Sequence, residues 1–143
     1  MNVDNYFRKI YTVAFRLTGD EMKADELASV AINNTLSKVR LNDKVTFSLF
    51  QKTTKDVIKL FISESYNDKI FINFEQNNIK VESYQNALMS LNPISRAAVV
   101  WRDILGFNIE DLEEISSKHI LYLELNNARR IMKEYLKEYE TGA

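Results

Sequence analysis

The stretch Leu91-Asn92-Pro93-Ile94-Ser95-Arg96-Ala97-Ala98-Val99-Val100-Trp101-Arg102-Asp103-Ile104-Leu105-Gly106-Phe107-Asn108 decides the fold of the C-terminal half. Asn92-Pro93 sets a capping side chain before a proline at the first helical position, where the missing N–H costs nothing, and Gly106 supplies a left-handed stop. The spacing predicts a well-bounded helix between them. Beyond it, Asn108 can cap a short helix over Ile109–Ile115. Ser116 or Ser117 can cap a longer one that runs through Ala128, Arg129 and Arg130 to about Glu138. Two helices joined by so short a turn cross steeply, as in a DNA-reading helix-turn-helix. An ordinary helical hairpin inside a bundle has the same spacing.

Toward the N-terminus the helical period continues. A first helix from about Asp4 to Leu17 puts Tyr6, Ile10, Ala14 and Leu17 on one face, with Phe7, Tyr11 and Phe15 widening the stripe. Gly19-Asp20 reads as a stop followed by an N-cap. The second helix carries Ala24, Leu27, Ala28, Ala31, Leu36 and Val39 along one face, with Asp25 and Glu26 near the positive end of its dipole. A third, from about Val45 to Glu64, directs Phe47, Phe50, Val57, Ile58 and Phe61 inward, so three amphipathic helices close a core. Stripes of this kind are far more often packing than ligand boxes.

Residues 66–82 lose that period and gain asparagines with an Ile70-Phe71-Ile72-Asn73-Phe74 alternation. They read as an interdomain connector that packs on a domain or partner, a short edge strand being the alternative. The expected organisation is all-α, with a three-helix domain over 1–65, a linker over 66–82 and a second helical domain over 83–143. Limited proteolysis is expected to cut between Tyr66 and Glu82 and leave two protected fragments. A single protected core across that region overturns the linker.

Composition narrows the function. A chain of 143 residues, 45% hydrophobic, can bury one ordinary core or two small ones. With no cysteine there is no disulfide framework, thiolate nucleophile or soft metal ligand. No apolar run approaches a membrane span and the N-terminus carries no export signal, so the reading is cytoplasmic, with no membrane partner. His119 is the only histidine, against a His-dependent triad or multi-His metal site, and the three glycines do not cluster into a phosphate loop. Glu110, Asp111, Glu113 and Glu114 read as a solvated acidic face rather than a catalytic pair. No catalytic residue, metal site or cofactor is expected.

Particular residues carry a resemblance. Leu91-Asn92-Pro93, Val99 to Asn108, Glu110-Asp111-Leu112-Glu113-Glu114-Ile115 and Asn127-Ala128-Arg129-Arg130 follow in order the pattern of a promoter −35 reading domain. Tyr6 to Asp20, followed by Lys23-Ala24-Asp25-Glu26-Leu27-Ala28, is similar to the opening of a polymerase-binding and −10 domain. Together they resemble the sigma-70 family of RNA polymerase sigma factors, especially the small extracytoplasmic-function type. The resemblance covers about residues 5–61 and 84–138.

What the resemblance implies is specific. The second helix would dock on core RNA polymerase through Asp25, Glu26, Ser29, Asn33 and Asn34, although a serine at 29 lacks the reach of the family's glutamine. The third would hold single-stranded promoter DNA with Phe50, Lys52, Lys55 and Lys59. The last helix would read duplex DNA with Lys118, His119, Tyr122, Asn126, Arg129 and Arg130, with Arg96 and Arg102 adding backbone contacts. An anti-sigma factor is the implied regulator.

The recognition helix departs from the pattern, with Tyr122, Glu124, Asn126 and Asn127 where basic or polar residues are usual. An acid that faces phosphate is repelled, so if this helix lies against DNA, Tyr122→Lys with Glu124→Arg is expected to strengthen binding. Charge raises the same conflict. Net charge is −1, and residues 83–143 hold 7 basic against 9 acidic side chains, whereas 1–65 hold 10 against 8. The sequence therefore reads as a sigma factor for a limited promoter set. The alternative is a sigma-like interaction protein that binds polymerase or another partner without reading DNA.

Overall fold

Asn2 opens the first helix, its side chain accepting the Asn5 N–H at 2.8 Å, and Gly19 closes it in the left-handed region at φ 65°. Between them lies α1 (Val3–Thr18). Asp20 caps α2 (Glu21–Leu36) through the Lys23 N–H at 3.0 Å, and the Thr46 hydroxyl receives the Leu49 N–H at 3.1 Å to start α3 (Phe47–Asn67). Each boundary is thus a local device that satisfies helix-end donors. The chain forms two compact units, Met1–Asn67 and Asp68–Ala143. The computed structural model describes residues 1–39, 44–67 and 83–141, with side chains as far as 65 and 137 in the last two stretches. The connector read from the sequence lies, from residue 68 on, outside the described residues.

In the first unit the three helices pack mutually. Ile10, Ala14, Leu17, Ala24, Leu27, Ala31, Val57, Ile58 and Phe61 form the buried centre. Val39, expected on the buried stripe of α2, falls beyond the helix end and is exposed. Phe47, expected inward, is 65% exposed. Val45 takes the core position at that entry instead, 3% exposed, its N–H bonded to the Met1 carbonyl at 2.9 Å. The core is not wholly apolar: the Tyr6 and Thr53 hydroxyls lie 2.6 Å apart, and Thr53 is 3.2 Å from the Thr35 hydroxyl. This chain joins all three helices, and burial holds the Tyr6 phenol above its ordinary pKa. Tyr6→Phe removes one buried hydrogen bond and is expected to lower stability by about 1–2 kcal/mol in a thermal melt. An unchanged melting curve would remove the hydroxyl chain from the account of the core.

In the second unit α4 (Ser83–Met89) and α5 (Pro93–Val99) lie against α6 (Lys118–Thr141). Asn92 caps α5 as expected, accepting the Ser95 N–H at 2.8 Å. The helix then widens into a π turn, Val100–Ile104, whose extra residue is taken up by the Leu105 N–H reaching the Val100 carbonyl at 3.0 Å. Gly106 ends it at φ 75°, and the Phe107 N–H returns to the Trp101 carbonyl. Trp101 is fully buried, its indole N–H donating to the Asn108 carbonyl at 2.7 Å and its ring 4.5 Å from that of Phe107. The helix expected over Ile109–Ile115 is only a 3-10 turn, Ile109–Leu112, and Asn108 does not cap it with its side chain. Ile109 and Leu112 are both buried, and residues three apart eclipse on one side of a 3-10 turn, so one such turn seats both anchors. Ser117 then starts α6, accepting the Ile120 N–H at 3.3 Å.

Both units are helical and, among the described residues, contain no strand. No described helix is long and apolar enough to cross a membrane.

Candidate functional site

On α2, three of the five side chains expected at a polymerase contact share one surface. Asp25, Ser29 and Asn33 line a groove of about 690 Å³ against α1, opposite Phe7, Arg8 and Tyr11. Glu26 is exposed on the adjoining face, in register with Met22 and Val30, which are 76% and 45% exposed. Asn34 is separated from them. It turns toward α3 and lines a smaller pocket of about 290 Å³ with Lys38, Asp56 and Lys59. Sequence periodicity placed Phe7 on the apolar stripe of the first helix and did not single out Met22 or Val30, which stand off the stripe of the second. Their exposure gives this acidic and amide face the apolar content that a protein interface needs.

On α3, Lys52 and Lys59 are exposed and Lys55 is half-buried, so the lysine row does lie on one helix face. The aromatic expected beside it is corrected. Phe50 is 6% exposed and belongs to the core, whereas Phe47, one turn earlier, is the ring at the surface. Asp56, the acid that interrupts the row, is held from the Thr35 hydroxyl at 3.5 Å.

On α6 the side chains divide by angle around the helix. Leu121, Leu125, Ala128 and Met132 face the core, and His119, Asn126 and Arg130 are exposed on the outer side. Ile120 and Ile131, 42% and 40% exposed, form one shoulder, and Leu123, 50% exposed, lies beside Arg130 on the outer side. Lys118, Tyr122 and Arg129 form the other shoulder, and all three are already paired. Lys118 Nζ lies 3.1 Å from Glu110 Oε1, and the Tyr122 hydroxyl donates to the same oxygen at 3.2 Å. Arg129 grips Asp103 with two donors, at 3.0 and 2.6 Å. The Lys118 contact holds the Glu110 carboxyl below its ordinary pKa, and Asp103 raises that of Arg129.

Two expectations about this unit are overturned. Arg96 does not reach outward; it is 5% exposed and its guanidinium donates to the Leu88, Met89 and Leu91 carbonyls at 2.9, 3.2 and 2.8 Å. These are carbonyls at and just past the end of α4, so Arg96 is its C-terminal cap. Arg102, by contrast, is exposed, and among the described residues its side chain makes one long contact, to the Gly106 carbonyl at 3.5 Å. Glu124 does not face phosphate either. Its carboxylate turns back to the start of α5, where it accepts from the Ser95 hydroxyl and from Asn92 Nδ2. Glu124→Arg would therefore strip the α5 N-terminus of an acceptor and place a cation against it, so the expected gain in DNA binding is withdrawn.

No protein-family model matches the sequence, and no curated protein matches it. A solved structure does resemble it: the sigma factor RpoE of Bartonella quintana, in complex with the anti-sigma factor NepR. The match has a TM-score of 0.64 and 15% identity over 94% of this chain and 94% of that one. A likeness spanning both units at so low an identity is one of architecture, and the chain has the all-α fold of a sigma factor.

Proposed function

We propose that the chain is a sigma factor that binds core RNA polymerase through the outer face of α2 and directs it to a limited set of promoters. The observation that carries this reading is fold likeness along nearly the whole chain, 94%, to a sigma factor, together with a sequence resemblance that falls on the same two helical units. The face of α2 supports it further, since Asp25, Glu26, Ser29 and Asn33 stand among exposed apolar side chains. Lys52, Lys55 and Lys59 would track the backbone of an opened promoter strand, with Phe47 in place of Phe50 as the stacking ring. His119, Asn126 and Arg130 on the outer side of α6, with Arg102, would meet duplex DNA. An anti-sigma factor is the matching regulator, as RpoE of Bartonella quintana has in NepR.

Co-purification with core polymerase followed by run-off transcription from genomic fragments tests this. The expected result is a stable complex that initiates at discrete sites absent with core enzyme alone. A complex that starts no transcript would instead favour an interaction protein, and no complex would overturn the reading.

A further inference from the structure

The acids of the second unit are not spread at random over its surface. Two of them come from the segments just before α6, Asp103 from the π turn and Glu110 from the 3-10 turn, and both reach the same shoulder of that helix. Between them they engage Lys118, Tyr122 and Arg129. The Asp103–Arg129 contact is two-pronged, the geometry a guanidinium also offers a phosphate. Arg129 and Asp103 remain 48% and 30% exposed and Lys118 and Glu110 56% and 41%, so a ligand can approach both pairs.

We propose that Glu110 and Asp103 act as built-in substitutes for phosphate, which close the cationic shoulder of α6 to nucleic acid until a competing ligand displaces them. The proposal rests on reading α6 as the duplex-facing helix. Each pair is solvent-exposed and hence weak, so the closure is reversible. It also accounts for an acidic excess in the half that resembles a DNA reader, because the two carboxylates neutralise local cations rather than the domain at large. Tyr122 gains a role: its hydroxyl donates to the same Glu110 oxygen that Lys118 contacts and so helps to hold the carboxylate in place.

The test compares the full chain with the double variant Asp103→Asn/Glu110→Gln and with Glu21→Gln/Glu134→Gln. The latter makes the same change of net charge at two exposed acids that hold none of the three donors. Fluorescence anisotropy of a labelled random-sequence duplex is followed over salt concentration, with helix content checked by circular dichroism. The first variant is expected to bind roughly tenfold more tightly at low salt than the second, the worth of two exposed pairs. Its log–log salt slope should be steeper by about 1.8, or about 0.9 for each freed cation. Glu110→Gln alone, which leaves the Asp103 contact intact, should gain about half of that slope. Equal gains in both double variants would overturn the closure while leaving the DNA reading in place. No binding by any form at low salt, with polymerase still bound, would overturn the closure and the DNA arm of the reading together.

Discussion

Arg96→Met is expected to unfold the second unit at temperatures where the parent chain is intact. The methionine roughly replaces the aliphatic stem but supplies no donor, so the Leu88, Met89 and Leu91 carbonyls each lose a partner inside a site where the side chain is 5% exposed. Burial pushes the Arg96 guanidinium down to about 10, still well above neutrality, so the group is charged at pH 7 and its bonds are charge-assisted. Hydrogen bonds from a charged donor contribute about 1.5–3 kcal/mol each, and an orphaned buried acceptor costs about 1–3 kcal/mol. Desolvation of the arginine offsets part of this, which leaves a net loss of roughly 3–5 kcal/mol. For a domain of 60–100 residues that corresponds to a fall in melting temperature of roughly 12–40 °C.

The protein carries its own reporter for this experiment. Trp101 is the only tryptophan and is fully buried in the second unit, so its emission shifts to the red when that unit opens and is silent about the first. Arg102→Met serves as the control. Its side chain is exposed and, among the described residues, makes only the 3.5 Å contact with Gly106, so its effect should stay within about 0.5 kcal/mol. Equal stability of the two variants would mean that the α4 carbonyls find other partners and that Arg96 is not a cap.

Arg96 also marks where the sequence stops being readable. Asn92-Pro93, Gly106, Gly19-Asp20 and Ser117 are all boundaries that act within a few residues of themselves, and each is legible without knowing what lies across the fold. The all-α class, the number of long helices and their main buried stripes follow from such local signals. The destination of a long polar side chain does not. Arg96 reaches carbonyls five to eight positions back, Glu124 closes on a helix start some thirty positions away, and Asp103 and Arg129 are 26 apart. In a linear reading each of these is a solvated surface charge. One hint was present: Arg96 stands between Ser95 and Ala97-Ala98-Val99-Val100-Trp101, a run buried on every side, where a solvated arginine has little room. Phe47 and Phe50 could not be distinguished by period, because the competitor that displaced Phe47 from the core, Val45, lies outside the helix.

Glu26→Lys is expected to abolish co-purification with core RNA polymerase while leaving helix content and melting unchanged. The side chain is exposed on α2, away from the buried stripe of Ala24, Leu27, Ala28 and Ala31, so reversal of its charge disturbs no internal contact. If this face docks, the reversal replaces an attraction with a repulsion at a desolvated surface, a loss of about 2–5 kcal/mol. At about 1.4 kcal/mol per tenfold, that is an affinity reduced by tens to thousands of times. The apolar part of the same face gives a second handle: Val30→Ser and Met22→Ser remove exposed surface without touching charge, and should weaken binding at high salt as much as at low salt. Part of the Glu26→Lys defect should instead shrink as salt rises, because salt screens charge repulsion and leaves apolar contact untouched. Asn34→Ala, on the pocket toward α3, should leave polymerase binding intact. Retention of full affinity by Glu26→Lys would exclude this face as the docking surface, and a loss confined to Asn34→Ala would move the contact to the junction of α2 and α3.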